Sequence, residues 1–170
     1  MRGTKCLLRP WRMTDRDALI PLANNPKVWR NMHDTFPHPY TEDAAKEWLS
    51  RQTSAPPPRT AFAIEVDGHL AGGIGFDVLP LIYRVTALMG YWLGEPFWGR
   101  GIASDACSLM RDYIFENFPD IHRIQSVVYE WNPASMRVLE KSGFTKEGCM
   151  RKAAIKDGKI IDVALYAITR

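Results

Sequence analysis

Apolar positions along the chain keep a helical rhythm first and a two-residue rhythm later. Cys6-Leu-Leu-Arg9 reads as a short strand, stopped by Pro10. Thr14, with Asp17 three residues on, is a capping-box variant that opens a helix running to about Asn24. Asn24-Asn-Pro26 breaks it, and a short turn of helix follows to about Asn31. His33 to Tyr40 is loop, and Thr41 caps a helix with Ala44, Ala45, Trp48 and Leu49 on one face. Ala55-Pro-Pro-Pro58 is a surface connection. The period then switches. Phe62, Ile64 and Val66 alternate with small or polar residues, and Asp67-Gly68 signals a type I′ turn into a return strand, Leu70 to Phe76. A strand from Val85 to Leu93 leads to a helix ending near Asn117, with Ile102, Ala106, Leu109, Met110 and Tyr113 facing inward. Arg123 to Tyr129 is a β-rich run. Asn132 as cap, Pro133 as first helical residue and Gly143 just past the end predict a helix from Pro133 to about Ser142. Asp157-Gly158 joins Met150–Lys156 to Lys159–Ile168 as a closing hairpin. The predicted order is β-α-α-β-β-β-α-β-α-β-β, an α/β (α+β) arrangement.

The 170 residues, 46% of them hydrophobic, suffice for one domain with a sizeable core, expected to span residues 1–170. The net charge of +3 is mild, and no basic stripe interleaved with aromatics points to nucleic acid. No apolar run approaches the roughly 18 residues of a membrane span, and Met1-Arg-Gly-Thr-Lys5 is not followed by the apolar core of a secretion signal. Cys6, Cys107 and Cys149 are scattered, odd in number and without metal-ligand spacing, so the expectation is reduced thiols in a cytoplasmic protein and no metal.

The chemistry concentrates in Trp98-Gly-Arg-Gly-Ile-Ala103, where a strand enters a glycine loop and the loop opens a helix. Glycines let backbone approach a ligand closely, and the first amides of a helix have no internal partners, so the segment is suited to a phosphate. The spacing is not that of a dinucleotide fingerprint, because Ser104 stands where its third glycine belongs, and no Lys-Ser or Lys-Thr pair makes it a P-loop. A nucleotide-phosphate protein of another fold remains a weaker alternative. What the loop resembles is the R/Q-x-x-G-x-G/A acyl-CoA pyrophosphate loop of the GNAT N-acetyltransferases, with Gly101 and Ala103 in frame and Trp98 where Arg or Gln usually stands. About 30 residues further on, the strand before Asn132-Pro-Ala-Ser135 and the helix ending in Gly143-Phe144 resemble the second half of the same domain. The tryptophan variant, Leu8-Arg-Pro10 and His38-Pro-Tyr-Thr41 are similar to the RimJ/RimL-like branch. The resemblance covers essentially the whole chain.

That resemblance implies a mixed, mostly antiparallel sheet flanked by helices. It implies acetyl-CoA as cosubstrate and direct attack by an amine in a ternary complex. Backbone of Tyr91, Trp92 and Leu93 would pair with pantetheine, and the Leu93 amide would polarise the carbonyl. Amides of Gly99, Arg100, Gly101, Ile102, Ala103 and Ser104, beside Trp98, would hold the pyrophosphate. Asn132 would bind pantetheine polar groups, and Ser135 would hydrogen-bond the thioester sulfur. Two positions depart from the family. Leu139 replaces the tyrosine that often serves as general acid, and Leu88 replaces the glutamate that often serves as base. Glu130 and Asp77 are weaker candidates, Glu95 reads as a turn residue, and His33, His38 and Tyr40 lie in a loop suited to cover the acceptor. Without a base, an α-amine of pKa about 7.7–8.0 costs about 1–1.4 kcal/mol to deprotonate at pH 7, against about 4–5 for lysine. The expected acceptor is therefore a peptide or protein N-terminus, or another low-pKa amine. A non-catalytic acyl-CoA sensor or accessory module is the competing class, kept open by Leu88 and Leu139. The sequence does not report on self-association, and a homodimer stays open.

Overall fold

The computed structural model describes residues 1–170. Its elements, in order, are β1 (Leu7–Arg9), α1 (Arg16–Ala23), α2 (Pro26–Trp29), α3 (Glu42–Ser54), β2 (Ala61–Val66), β3 (His69–Val78), β4 (Thr86–Leu93), α4 (Ile102–Asn117), β5 (Arg123–Tyr129), α5 (Pro133–Lys141), β6 (Thr145–Lys156) and β7 (Lys159–Thr169). Seven strands form one sheet in the order β1-β2-β3-β4-β5-β7-β6. Every neighbouring pair is antiparallel except β4 with β5. The mixed, mostly antiparallel sheet is the one expected from the sequence.

The two faces of the sheet carry different helices. Ala87, Met89 and Leu93 of β4 and Ile124 and Val128 of β5 join Ile102, Ala106, Met110 and Leu139 in the larger core, under α4 and α5. Trp11, Leu19, Ala45, Leu49 and Ala63 form a second core under α1 and α3, with Trp92 packed against it. Side chains alternate along a strand, so odd residues of β4 face α4 and α5 while Leu88, Gly90 and Trp92 face the other way.

The local signals mostly place their elements. Thr41 Oγ1 accepts the Ala44 amide at 3.2 Å, and Asp67 and Gly68 carry the positive φ values, 51° and 80°, that the tight turn requires. The start of the first helix differs from the expectation. Thr14 lies inside a 3-10 turn, Met13–Asp15, and the acid that matters is Asp15, whose carboxylate accepts the Arg12 amide at 2.8 Å. Tertiary charge pairing decides this. Arg9, 6% exposed, grips Asp15 through both terminal nitrogens, at 2.8 and 2.7 Å, and also pairs with Glu65. Removing one partner of such a buried cluster costs about 3–5 kcal/mol. The α4 face is also rotated from the expected one. Ala103, Cys107 and Ile114 are buried with Ile102, Ala106 and Met110, while Leu109 and Tyr113 are only half-buried. Finally, β6 begins at Thr145 rather than Met150, because β7 offers it partners from Ala167 onward.

Candidate active site

The parallel ladder between β4 and β5 is short. Thr86 pairs with Arg123, Ala87 with Ile124 and Leu88 with Gln125, and there it stops. Beyond this point β4 pairs only with β3, through Leu93, and β5 only with β7, through Tyr129. The two central strands therefore splay, and a gap opens between Met89–Leu93 and Ser126–Tyr129. Ser126 Oγ closes its inner end by donating to the Met89 carbonyl at 2.6 Å. Strand alternation assigns the other groups. The Gly94 amide donates to Ala71 O at 2.9 Å on the β3 side, so even positions turn toward β3 and odd ones toward the gap. Tyr91 N–H and C=O and Leu93 N–H thus form an open edge. Trp92 is the exception among the three residues expected there. Its carbonyl lies 2.1 Å from where a Cβ on Gly72 would sit, so its backbone belongs to the β3 ladder. It reaches the site with its ring, edge-on to Phe36 at 5.7 Å.

The glycine loop continues from this edge. Trp98, half-exposed, donates its indole N–H to the Leu93 carbonyl at 2.8 Å and so ties the loop to the strand end. Gly99 and Gly101 both hold φ at 75°, the left-handed region that a Cβ disfavours. Gly101 is the N-cap of α4, and no side chain caps that helix. The first intrahelical bond is Asp105 N–H to Gly101 O, which leaves the Ile102, Ala103 and Ser104 amides at the helix mouth. The Ile102 and Ala103 side chains are in the core, so only their amides can serve a ligand. Arg100 extends beside the loop, over the Phe97 ring at 5.8 Å.

One support of this loop has no counterpart in the motif. The Asp105 carboxylate accepts the Thr4, Lys5 and Cys6 amides at 3.2, 2.8 and 3.1 Å and the Thr4 hydroxyl at 3.0 Å. A Cβ on Gly3 would come within 2.2 Å of that carboxylate. Lys5 Nζ then donates to Arg100 O at 2.9 Å. Burial acts to raise the Asp105 pKa, but these hydrogen bonds outweigh it and hold the group below its usual range. Burial and the neighbouring Asp105 push the Cys6 thiol up to about 12, so it is unreactive. The partners lie about 100 residues apart, beyond any local signal.

On the far wall of the gap, Asn132 Oδ1 accepts the Ser135 amide at 3.2 Å and starts α5. Ser135 Oγ lies 2.7 Å from the Tyr91 hydroxyl, which also reaches Ser135 O at 3.1 Å. Burial raises the Tyr91 pKa above its ordinary value. Leu139 is 0% exposed, sealed in the core one turn further on.

The opposite face of the gap is open above Gly90, where nothing lies within 4 Å of a Cβ position, with Leu88 and Trp92 on either side. Its roof is the segment after α2. Phe36 packs on Tyr40 at 5.1 Å, His38 stacks on Trp29 at 5.1 Å, and His33 Nδ1 shares a 2.6 Å hydrogen bond with Thr35. Tyr129 and Trp131 anchor it through Met32 O and Asn31 Oδ1, at 3.3 and 3.1 Å. Of the weaker base candidates, Asp77 alone shares the face of Gly90, as its exposed diagonal neighbour on β3. Asp77 is opposite Leu88, where the strands are still paired; Glu130 is exposed past the end of β5; Glu95 is bound to Lys27 and Asn25, which lower its pKa.

An acetyltransferase (GNAT) domain family matches residues 5–145. The uncharacterized N-acetyltransferase YokL of Bacillus subtilis (strain 168), derived from prophage SPbeta, is 30% identical over 157 residues, covering 91% of this chain and 85% of its own. Among solved structures, RimL, a ribosomal alpha-N-protein acetyltransferase in complex with coenzyme A, superposes with a TM-score of 0.81 at 28% identity, covering 98% of this chain and 95% of that one. RimJ of Mycobacterium smegmatis, in complex with a CoA-disulfide, gives a TM-score of 0.81 at 28% identity, covering 95% of this chain and 80% of that one.

Proposed function

The chain belongs to the acetyltransferase (GNAT) domain family, and from that premise we propose that it moves the acetyl group of acetyl-CoA to an α-amine, with residues 1–170 acting as one catalytic domain. It is an N-acetyltransferase, and acetyl-CoA and an amine are its substrates. The carrying observation is the open edge of β4, continuous with the free amides of the α4 mouth on one side and with Ser135 on the other.

The residues fit the cosubstrate. Tyr91 N–H and C=O offer the pairing of an added strand, which suits the amides of pantetheine. The amides from Gly99 to Ser104 suit the pyrophosphate, and Lys5 adds positive charge beside them. Asn132 spends its carbonyl oxygen on Ser135 N–H and keeps its amide hydrogens for pantetheine oxygens. The Leu93 amide, fixed because Trp98 holds the same residue's carbonyl, polarises the thioester carbonyl. Ser135 hydrogen-bonds the sulfur as the C–S bond breaks.

The amine arrives over Gly90, between Leu88 and Trp92. Leu88 stands where a base would reach the amine directly, and the carboxylate on that face, Asp77, is an exposed side chain beside Leu88, so the attacking nitrogen releases its proton to water, which favours a low-pKa amine. RimL, named as an alpha-N-protein acetyltransferase, supports the same acceptor class. Cytoplasmic residence rests on three free cysteines, and no helix is long and apolar enough to cross a membrane. Leu88 and Leu139 favour the second reading, an acyl-CoA-binding module without turnover. Incubation with acetyl-CoA and a panel of peptides, amino acids and small amines, read by free thiol release, separates the two. Release dependent on an α-amine is expected. Tight acetyl-CoA binding with no release from any amine overturns catalysis.

A further inference from the structure

We propose that Tyr91 is a positioning residue for thiolate departure: its hydroxyl donates to Ser135 Oγ and leaves the serine hydrogen free to point into the gap. This rests on the reading of Ser135 given above.

The argument starts from a count of hydrogens. Two hydroxyls 2.7 Å apart share one hydrogen bond, and the pair has two hydrogens to place. In one arrangement Tyr91 donates to Ser135 Oγ and the serine hydrogen is available for another acceptor. In the other, Ser135 donates to Tyr91, which donates to Ser135 O at 3.1 Å, and nothing remains for the gap. Only the first gives a donor to a leaving sulfur. As the C–S bond breaks and the electron pair moves to sulfur, negative charge grows at the gap end of this chain and favours the first arrangement. Each hydroxyl also polarises the next. No proton need leave either residue: the thiolate is stabilised by the serine hydrogen bond and protonated from solvent, and the amine's proton goes to water.

Two further observations single out Tyr91. Burial keeps its phenol protonated, so it is a donor at any working pH. Leu139, the next position on the same face of α5, is a hydrocarbon side chain sealed in the core and has no donor to offer. The strand that provides the open edge therefore also provides, through one side chain, the orienting group for the opposite wall.

The test is a double-mutant cycle with the full chain, acetyl-CoA and the best amine of the panel. Tyr91→Phe keeps the ring and deletes only the hydroxyl. It is expected to lower kcat by about three- to tenfold, the worth of one neutral hydrogen bond, with KM for acetyl-CoA within twofold and a melting point lower by no more than about 2–6 °C. Adding Tyr91→Phe to Ser135→Ala is expected to slow turnover no further. Slow Ser135→Ala with wild-type Tyr91→Phe overturns the tyrosine's role and leaves the serine's intact. An equal further loss in the double variant shows that Tyr91 acts independently, and a rise in KM without a fall in kcat shows that it only shapes the groove; either overturns the proposal. Wild-type turnover in both single variants overturns the reading of Ser135, and the proposal falls with it.

Discussion

Gly101→Val is the sharpest perturbation of the cosubstrate site. Gly101 holds φ at 75° as the N-cap of α4, and a Cβ there would lie 2.7 Å from Lys5 Nζ. The lysine tip is flexible and can swing away at little cost, so the contact is the smaller effect. The backbone is the larger one. A residue with a Cβ costs about 1–2 kcal/mol in the left-handed region, and β-branching adds to that. If the loop keeps its shape, the cost appears as stability, and the melting point falls by roughly 2–8 °C for a chain of this size. If the loop relaxes, the helix mouth turns and the amides of Ile102 to Ser104 lose their common aim. One lost hydrogen bond to a charged phosphate is worth about 1.5–3 kcal/mol, which is about tenfold to a hundredfold in Kd. Calorimetric titration with acetyl-CoA reads the second effect and a melt reads the first. Gly99→Ala is the comparison, since its φ is also 75° but nothing lies within 4 Å of the added Cβ. Wild-type affinity together with a wild-type melting point in Gly101→Val would refute the assignment of the pyrophosphate to this loop.

Three further outcomes are expected. For an α-amine acceptor kcat/KM should rise with pH and level off near about pH 8, while for a lysine-like amine it should still climb at about pH 9; a wild-type limb near about pH 6 that vanishes on changing Glu130 or His38 would reveal a protein base. Trp98→Phe removes the indole donor to Leu93 O and should raise KM for acetyl-CoA by about two- to tenfold, with unchanged KM for the amine; unchanged kinetics with both substrates would dismiss the tie. Asp105→Asn should lower the melting point at neutral pH, and the difference should shrink on acidification. The Asp105 pKa is depressed in the fold, so its contribution is present above the ordinary carboxylate range near about 4 and is lost as pH falls through the folded value. A gap between the two proteins that stays constant down to acid-induced unfolding would contradict it.

Much of the architecture is written in signals that act over three or four residues. Asp67-Gly68 and Asp157-Gly158 carry positive φ at both positions of their turns, Asn132 and Pro133 start α5, and Gly143 takes φ of 89° just past its end. The glycine loop belongs with them, since a left-handed residue before a helix is a local demand. These features depend on backbone sterics and nearest neighbours, so the sequence alone determined them, and with them the element order apart from the short helix Pro26–Trp29, which the predicted order of two helices before β2 leaves out. The opening of the site was decided elsewhere. Gly90 is a weak point in β4, but nothing local in Thr86–Leu93 or Arg123–Tyr129 says that their ladder ends at Leu88, because Tyr91, Trp92, Val127, Val128 and Tyr129 beyond it are good β-formers. The split depends on what each strand pairs with on its other side. The same holds for the grip of Asp105 on Thr4 to Cys6, for Glu95 on Lys27, and for the hydroxyl pair of Tyr91 and Ser135, 44 residues apart. A side chain's chemistry is fixed by its type, but its partner is fixed by which elements pack together, and that only the folded chain decides.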